Sequence, residues 1–528
     1  VSTSIEDRLR ALEERNHALE RQYEALRSQS EADRRESERR YRELAERYEA
    51  ERREPRGALE VPASSLPAAG PRAPDLERRE QSASIRDRNV ESSDSMEGRQ
   101  FEGSTAAADR DRDEPPTYPL QGRFDDGFLL ETPDSELQLR VHIMNQTDFK
   151  VFTPNDMLPA RSGLYIPRSR VYFEGRLTRG VGYEVSIQRS VEGIWDLLDG
   201  NVDFRPSEAF QLRFGRMLVP YSYDWYDHLE QYFITPERGL FPLNYGLSRT
   251  AGLMAHGTLG DGRLQYALGG FDGRLAGVAD NNTTRDLVGY LNARPFLDSE
   301  RFPRLRNLNL GGSIFGGLQF LPASSLPLRT SLQSSENDEA ARAASAKFLE
   351  FEEDVYSFGD RSAGALHLAW YTGGLSVEAE WQVGEFGYIK QVEEGKFRST
   401  LVPVSGYHVT MGYFLTGEEV EGRRTVVPLR PFGIANGQFG PGAIEIFARY
   451  SQLDLGREVF TAGLANSEDW ARSAYMADIG FNWYMNRFIK FYVDWQLPYF
   501  SSPVLVNEFN GLKRDSANLF WVRCQLYY

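Results

Sequence analysis

The chain closes with the stretch ANLFWVRCQLYY, residues Ala517 to Tyr528. Every second residue from Phe520 gives Phe520, Val522, Cys524, Leu526 and Tyr528, whereas the intervening set, Trp521, Arg523 and Gln525, is more polar and ends in Tyr527. Successive side chains of a strand point to opposite faces, so one face here is apolar and the other wet enough to carry a charge. A water-soluble sandwich would bury such a face against a second sheet. If the alternation recurs along most of the chain, the apolar face has to meet lipid and the polar face a lumen.

The alternation does recur, from about Leu137 onward. About seventeen segments carry it, one more than the even number expected of a single-chain barrel. They include Glu136 to Asp148, Arg168 to Thr178, Ala346 to Phe358, Ser362 to Thr372 and Gly374 to Gly384, with Asp196 to Arg205 the weakest. In Leu375 to Val383 the apolar set is Leu375, Val377, Ala379, Trp381 and Val383, against Ser376, Glu378, Glu380 and Gln382. In Ile489 to Leu497 the sets are Ile489, Phe491, Val493, Trp495 and Leu497 against Lys490, Tyr492, Asp494 and Gln496. The segments are long enough to cross a bilayer at a tilt, and aromatic residues fall near their ends. The expected fold is an all-β transmembrane barrel of antiparallel strands, spanning residues 119–528.

Composition agrees. A mean hydropathy of -0.51 over 528 residues, with no long apolar run, excludes a helical membrane protein but not a barrel, whose strands show only alternate residues to lipid. Val1 reads as a mature N-terminus left by processing. One cysteine excludes an internal disulfide framework and a cysteine-based zinc site. A net charge of -16 argues against a nucleic-acid partner.

Ahead of the barrel, residues 1–54 are rich in Glu, Arg, Ala and Leu and lack Gly and Pro until Pro55, which predicts a helix. Leu9, Leu12, Asn16, Leu19, Tyr23 and Leu26 follow a heptad seam with Asn16 at an a-type position, predicting a self-associating coiled coil. Beyond Leu26 the stripe restarts in shifted phase at Tyr41, Leu44 and Tyr48. Residues 55–118 are rich in Pro, Ala, Ser, Arg and Asp with few apolar side chains, the signature of a disordered linker.

The connections read as alternately short and long. Arg179 to Gly180, Gly373 to Gly374 and Asn486 are tight turns, whereas Tyr221 to Ser248, Leu321 to Ser345, Glu385 to Val404, Glu418 to Gly442 and Pro498 to Ser516 are long. The helix and linker would share the periplasmic side with the short turns, and the long loops would face outward or fold into the lumen.

The segment FGRMLVPYSYDWYDHLEQYFITPERGLFPLNYGLSRTAGLMAHG, from Phe214 to Gly257, resembles the phosphate-selective porin O and P family. Tyr266 to Gly273 (YALGGFDG), Gly289 to Phe296 (GYLNARPF), Gly412 to Glu418 (GYFLTGE), Gly442 to Gly456 (GAIEIFARYSQLDLG) and Gly480 to Asn486 (GFNWYMN) match it in order and spacing. The resemblance implies sixteen strands, a homotrimer in the outer membrane of a Gram-negative-type bacterium, and an inward-folded constriction loop. By position that loop is Tyr221 to Ser248, whose candidate charges are Asp224, Asp227, Glu230, Glu237 and Arg238, with Arg249 at its exit.

Phosphate selectivity needs fixed positive charge to replace the hydration of an anion. The chain has only six lysines, none between Val151 and Ala346. Candidate pore-lining residues are Arg140, Arg170, Arg176, Arg213, Arg294, Arg449 and Arg523, faced by Glu378, Glu380 and Asp494. The lumen also carries Glu445 and Asp478, so it is acidic as much as basic. The expectation is a mixed-charge porin, weakly cation-preferring or unselective, in which the arginines pair with the acids. The alternatives are a phosphate- or anion-selective channel and a structural anchor whose coiled coil reaches peptidoglycan or another envelope component. At ~1.5 Å per residue the helix would reach about 80 Å. His367 and His408 fall on the polar face, but no motif places a nucleophile or a metal beside them, and neither enzyme activity nor a cofactor is expected.

Overall fold

The computed structural model describes residues 119–528 apart from 158, 190–194, 274–283, 334–343, 394–395, 434–438 and 509. The expected coiled coil of residues 1–54, its seam Leu9 to Leu26 and the linker 55–118 lie outside the described residues.

Sixteen antiparallel strands form a closed barrel. The first half runs β1 (Gln138–Thr153), β2 (Gly163–Thr178), β3 (Val181–Arg189), β4 (Trp195–Phe204), β5 (Gln211–Leu218), β6 (Arg249–Leu259), β7 (Leu264–Asp272) and β8 (Arg285–Ala293). The second runs β9 (Asn307–Ser324), β10 (Val355–Thr372), β11 (Leu375–Glu393), β12 (Lys396–Phe414), β13 (Ala443–Leu455), β14 (Ser473–Tyr484), β15 (Ile489–Asn507) and β16 (Asn518–Tyr527). Each pairs with its neighbour in sequence, and β16 pairs back onto β1 from Asn518↔Thr153 to Tyr527↔Met144. Two backbone bonds between Tyr528 and Ile143, of 2.8 and 3.2 Å, finish this seam. Closure removes the sheet edges, as hydrocarbon requires.

The faces are inverted relative to a soluble protein. Ile314 and Leu287 are 69% and 68% exposed on the outer wall, and Leu366, Leu268, Phe214 and Trp381 are exposed with them. The intervening residues, among them Asp148, Arg170, Asp478 and Arg523, are buried inside. A soluble protein rarely exposes so continuous an apolar surface, so the surrounding medium is lipid. In β16, Phe520 and Leu526 are exposed while Trp521, Arg523 and Gln525 are buried, as the alternation required. No helix among the described residues is long and apolar enough to cross a membrane.

A hairpin, Gln121–Phe124 with Phe128–Glu131, adds to the start of β1 below the chain end. Its Phe124 and Phe128 gather with Phe488 and Tyr528, ring centroids 5.1–6.1 Å apart, as an aromatic group at the turn end of the wall. Aromatic rings are favoured where lipid meets water.

Three expectations need correction. Ala346 to Phe358 is not a wall strand. Lys347–Leu349 pairs with Leu328–Arg329 in a separate small sheet, and residues from Val355 onward belong to β10. A bulge between Ser357 and Arg361, with Gly359 at φ +89°, shifts the alternation and makes one strand read as two. Glu385 to Val404 and Pro498 to Ser516 are mostly strand rather than loop, since β11 and β12 stay paired out to Glu393↔Lys396 and β15 runs to Asn507. Gly384, Pro403 and Pro498 are residues that usually punctuate strands, which hid the extensions. Finally, long connections are not confined to one end. Residues 415–442 join β12 to β13 at the same end as the Gly373–Gly374 turn.

The interior of the tall half is filled. Leu240, Phe241 and Tyr245 pack with Phe315, Phe386 and Val404 of the wall and with Phe348, Leu464 and Trp470 from the far-end connections. Gly406 of β12 makes room for this contact. A Cβ there would lie 2.6 Å from the Gln452 carbonyl and 3.1 Å from Phe241.

Candidate functional site: the lumen and its inward-folded loop

The chain leaves β5 at Leu218, crosses the interior and returns at Arg249. Tyr223–Tyr226 and Leu240–Tyr245 are short helical turns, and Glu230–Tyr232 is a 3-10 turn. Ser222 and Ser248 have φ of +69° and +53°, so the backbone bends sharply at both hinges.

The sequence candidates divide sharply by position. Glu380 anchors the first turn by accepting from the amides of Tyr223 and Asp224, each at 3.2 Å, and from Ser222 Oγ at 3.1 Å. Those amides have no partner within the turn, so a wall carboxylate satisfies them. Glu378 accepts from the Tyr371 hydroxyl at 2.8 Å and faces His228 at 3.2 Å. Asp227, half-buried, accepts from Gln265 at 3.1 Å and from the Tyr290 hydroxyl.

Glu230 and Glu237 are each held among arginines. Glu230 lies 3.2 Å from Arg170, 3.4 Å from Arg249 and 3.6 Å from Arg238. Arg238 also stacks over Trp225 at 3.8 Å, and Arg249 is shared with Asp199 at 3.0 Å. Glu237 is gripped by both Nη atoms of Arg168, at 2.7 and 2.8 Å, and by Arg523 at 3.0 Å. Arg523 in turn holds Asp148 at 2.6 and 2.9 Å. Burial alone would raise the Glu237 carboxyl, but Arg168 and then Arg523 outweigh it and hold it at about 2. Glu230 is likewise depressed well below the usual carboxylate range, because Arg170, Arg249 and Arg238 overcome the cost of burial.

The far wall binds the loop backbone. Gln525 donates to the Gln231 carbonyl at 2.8 Å, Asn482 to Ile234 at 2.9 Å, and Lys490 and Arg523 to Phe233 and Pro236. Arg449 joins Asp478 at 2.9 Å and Thr235 Oγ1 at 2.7 Å. Asp494, fully buried on the same wall, has no direct protein donor among the described residues.

Arg140, Arg176, Arg213 and Arg294 are apart from this network. They are partly exposed, toward the turn end of β1–β8. Arg140 donates to the Asp125 carbonyl at 2.8 Å, Arg176 to Gln138 at 3.0 Å, Arg213 to Asp203 at 3.0 Å and Arg294 to the Gly262 carbonyl at 2.7 Å. His367 contacts Asn292 at 3.2 Å, and His408 is buried on β12 against the loop at Gly239. No group of residues able to hold a metal occurs among the described residues.

Sequence reasoning missed Lys150, Arg168 and Arg423. Lys150 lies past the expected end of the first strand and stacks on Trp521 at 3.7 Å. Arg168 has the parity of Arg170 and Arg176 and falls on the inward face by strict alternation, but as the first residue of the expected strand Arg168 to Thr178 it reads as a strand-end charge, and the structure continues β2 back to Gly163. Arg423 sits on a turn-end connection with no period.

An antiparallel barrel closed on itself, apolar outside and charged inside, with a loop folded across its interior, defines the porin class of membrane channel. Residues 139–496 match the family described as phosphate-selective porin O and P, and the chain belongs to it. It is an outer-membrane porin, a channel for passive diffusion. No curated protein sequence matches the chain. Among solved structures, the outer membrane channel DcaP of Acinetobacter baumannii is 10% identical with a TM-score of 0.45, covering 75% of this chain and 99% of its own. OmpF of Salmonella typhi, in complex with daunomycin, is 12% identical with a TM-score of 0.43, covering 75% and 100%. The trimer form of OmpT of Vibrio cholerae is 8% identical with a TM-score of 0.42, covering 74% and 99%. At these scores the likenesses carry no inference about solute or assembly.

Proposed function

We propose that the barrel passes ions and small hydrophilic solutes with at most a weak preference for cations, and that it does not select phosphate. The observation that carries this is the pairing of lumen arginines with fixed acids: Arg170 with Glu230, Arg449 with Asp478, and Arg523 with Asp148 and Glu237. An arginine already matched by a buried carboxylate offers little net field to a passing anion. The test is solute flux into proteoliposomes, followed by swelling, with small sugars, a sodium salt and phosphate. Comparable entry of all three supports the proposal, and phosphate entry far above the others overturns it.

Self-association into trimers is part of the proposal. Asn145 and Thr147 on β1 and Ser169 on β2 alternate with buried residues and therefore point outward, where much of the wall is apolar. Polar side chains facing hydrocarbon are costly, so this sector, beside Cys524 of β16, is better suited to a second copy than to lipid. The heptads of Leu9 to Leu26 favour a second role, a periplasmic stalk that gathers the copies or meets peptidoglycan. Deleting residues 1–118 should then abolish co-sedimentation with cell-wall material while leaving channel activity, and unchanged co-sedimentation would remove the tether from the account.

A further inference from the structure

The connection 415–442 begins and ends at the turn end of the barrel, yet one of its side chains is deep inside. Arg423 has a side chain only 4% exposed, flanked in sequence by exposed Glu421 and Arg424. Its guanidinium grips both oxygens of Glu445, at 2.7 and 3.2 Å, and donates to Ser376 Oγ at 3.3 Å and the Tyr484 hydroxyl at 3.2 Å. The remaining donor, Nε, reaches the Tyr232 carbonyl at 3.2 Å. Tyr232 belongs to the constriction loop, which enters from the opposite end.

Below Arg423, Val420 is buried among Tyr371, Phe414, Ala443 and Tyr484, and its amide donates to the Gly373 carbonyl at 2.7 Å. The connection therefore closes the turn-end mouth beneath β10–β14. The lumen residues of that sector, including Ser376, Glu445 and Asn482, are fully buried. On the opposite side Gln211, Arg213 and Arg294 keep contact with solvent.

We infer that Arg423 is a positioning residue for permeation: it locks the turn-end connection to the tip of the constriction loop and confines the solute path to the β1–β8 side of the barrel. This rests on the porin assignment. Five hydrogen bonds from one buried guanidinium tie the turn-end connection to the constriction loop and to three wall strands, β11, β13 and β14, using all five donors of its planar fork.

The test uses full-length protein carrying Cys524→Ser in planar bilayers, with a sulfonate-bearing methanethiosulfonate added on either side. With Arg423 intact, Gln211→Cys should react and reduce the current, whereas Ser376→Cys should react at least about tenfold more slowly, as a site reached only by local opening does. Adding Arg423→Ala should bring the Ser376→Cys rate up to that of Gln211→Cys and raise conductance. Equal rates at the two cysteines with Arg423 intact would overturn the inference, and so would a Ser376→Cys rate unchanged by Arg423→Ala. The first comparison needs no Arg423 variant, so it decides even if that variant fails to fold. A parent protein showing no current steps would instead count against the porin assignment itself.

Discussion

The carboxylate of Glu237 and the guanidinium of Arg168 face each other fork to fork, Nη1 to Oε1 at 2.7 Å and Nη2 to Oε2 at 2.8 Å, both side chains buried. One comes from the loop and the other from β2, so this pair fixes the loop against the wall. Glu237→Gln should leave Arg168 and Arg523 without their shared counter-charge. Breaking such a buried pair from one side costs about 3–5 kcal/mol. The expected result is noisier current and a reversal potential shifted toward anions, measured in a salt gradient.

Acid should release the same contact. Glu237 is held at about 2 by Arg168 and Arg523, below the value of about 4.3 for a free glutamate. Because the folded value is the lower one, the contribution is complete above about pH 5 and is lost as pH falls through 4 toward 2. Current noise should therefore be flat from about pH 8 to 5 and rise below about 4. In Glu237→Gln that acid-dependent rise should be much reduced. A rise centred near neutral pH in the parent protein would contradict the assignment.

The outer wall makes its own prediction. Ile314 projects from the middle of β9, 69% exposed, between Gly289 and Gly364 on the neighbouring strands. Ile314→Lys should destabilise the folded barrel by about 2–4 kcal/mol, the range for a cation near the bilayer midplane. Ile314→Leu should cost less than about 1.5 kcal/mol. The measurement is urea unfolding in lipid vesicles followed by tryptophan fluorescence, and equal midpoints for the two variants would argue that this face does not meet lipid.

The outward polar sector tests self-association. Asn145→Leu with Thr147→Leu should weaken detergent-resistant oligomers while leaving the heat-modifiable migration of the folded barrel intact. If the oligomers persist unchanged, the copies meet elsewhere on the wall.

The wall was the most legible part of the sequence because one physical rule governs it. Alternation in Leu375 to Val383 and Phe520 to Tyr528 correctly assigned which side chains point out. Where a bulge shifts the phase, as between Ser357 and Arg361, the same rule miscounted a strand. The interior was less legible because its contacts join residues far apart in sequence. Nothing local ties Glu380 to the amides of Tyr223 and Asp224, or Arg423 to Tyr232. The acids of the loop were visible as charges, but their partners were not, and Arg168, although on the inward parity, stood at the edge of its expected strand. Four of the candidate arginines, Arg140, Arg176, Arg213 and Arg294, lie apart from the loop, toward the turn end.

The central claim is that fixed acids balance the arginines of the lumen and leave a pore without strong ionic preference. It is tested most directly by the reversal potential of single channels of the parent protein in a tenfold gradient of potassium chloride at neutral pH. The account predicts stepwise currents with a reversal potential near zero or displaced modestly toward the cation value, little changed by added phosphate. A potential close to the anion limit, with chloride current blocked by sub-millimolar phosphate, would contradict it.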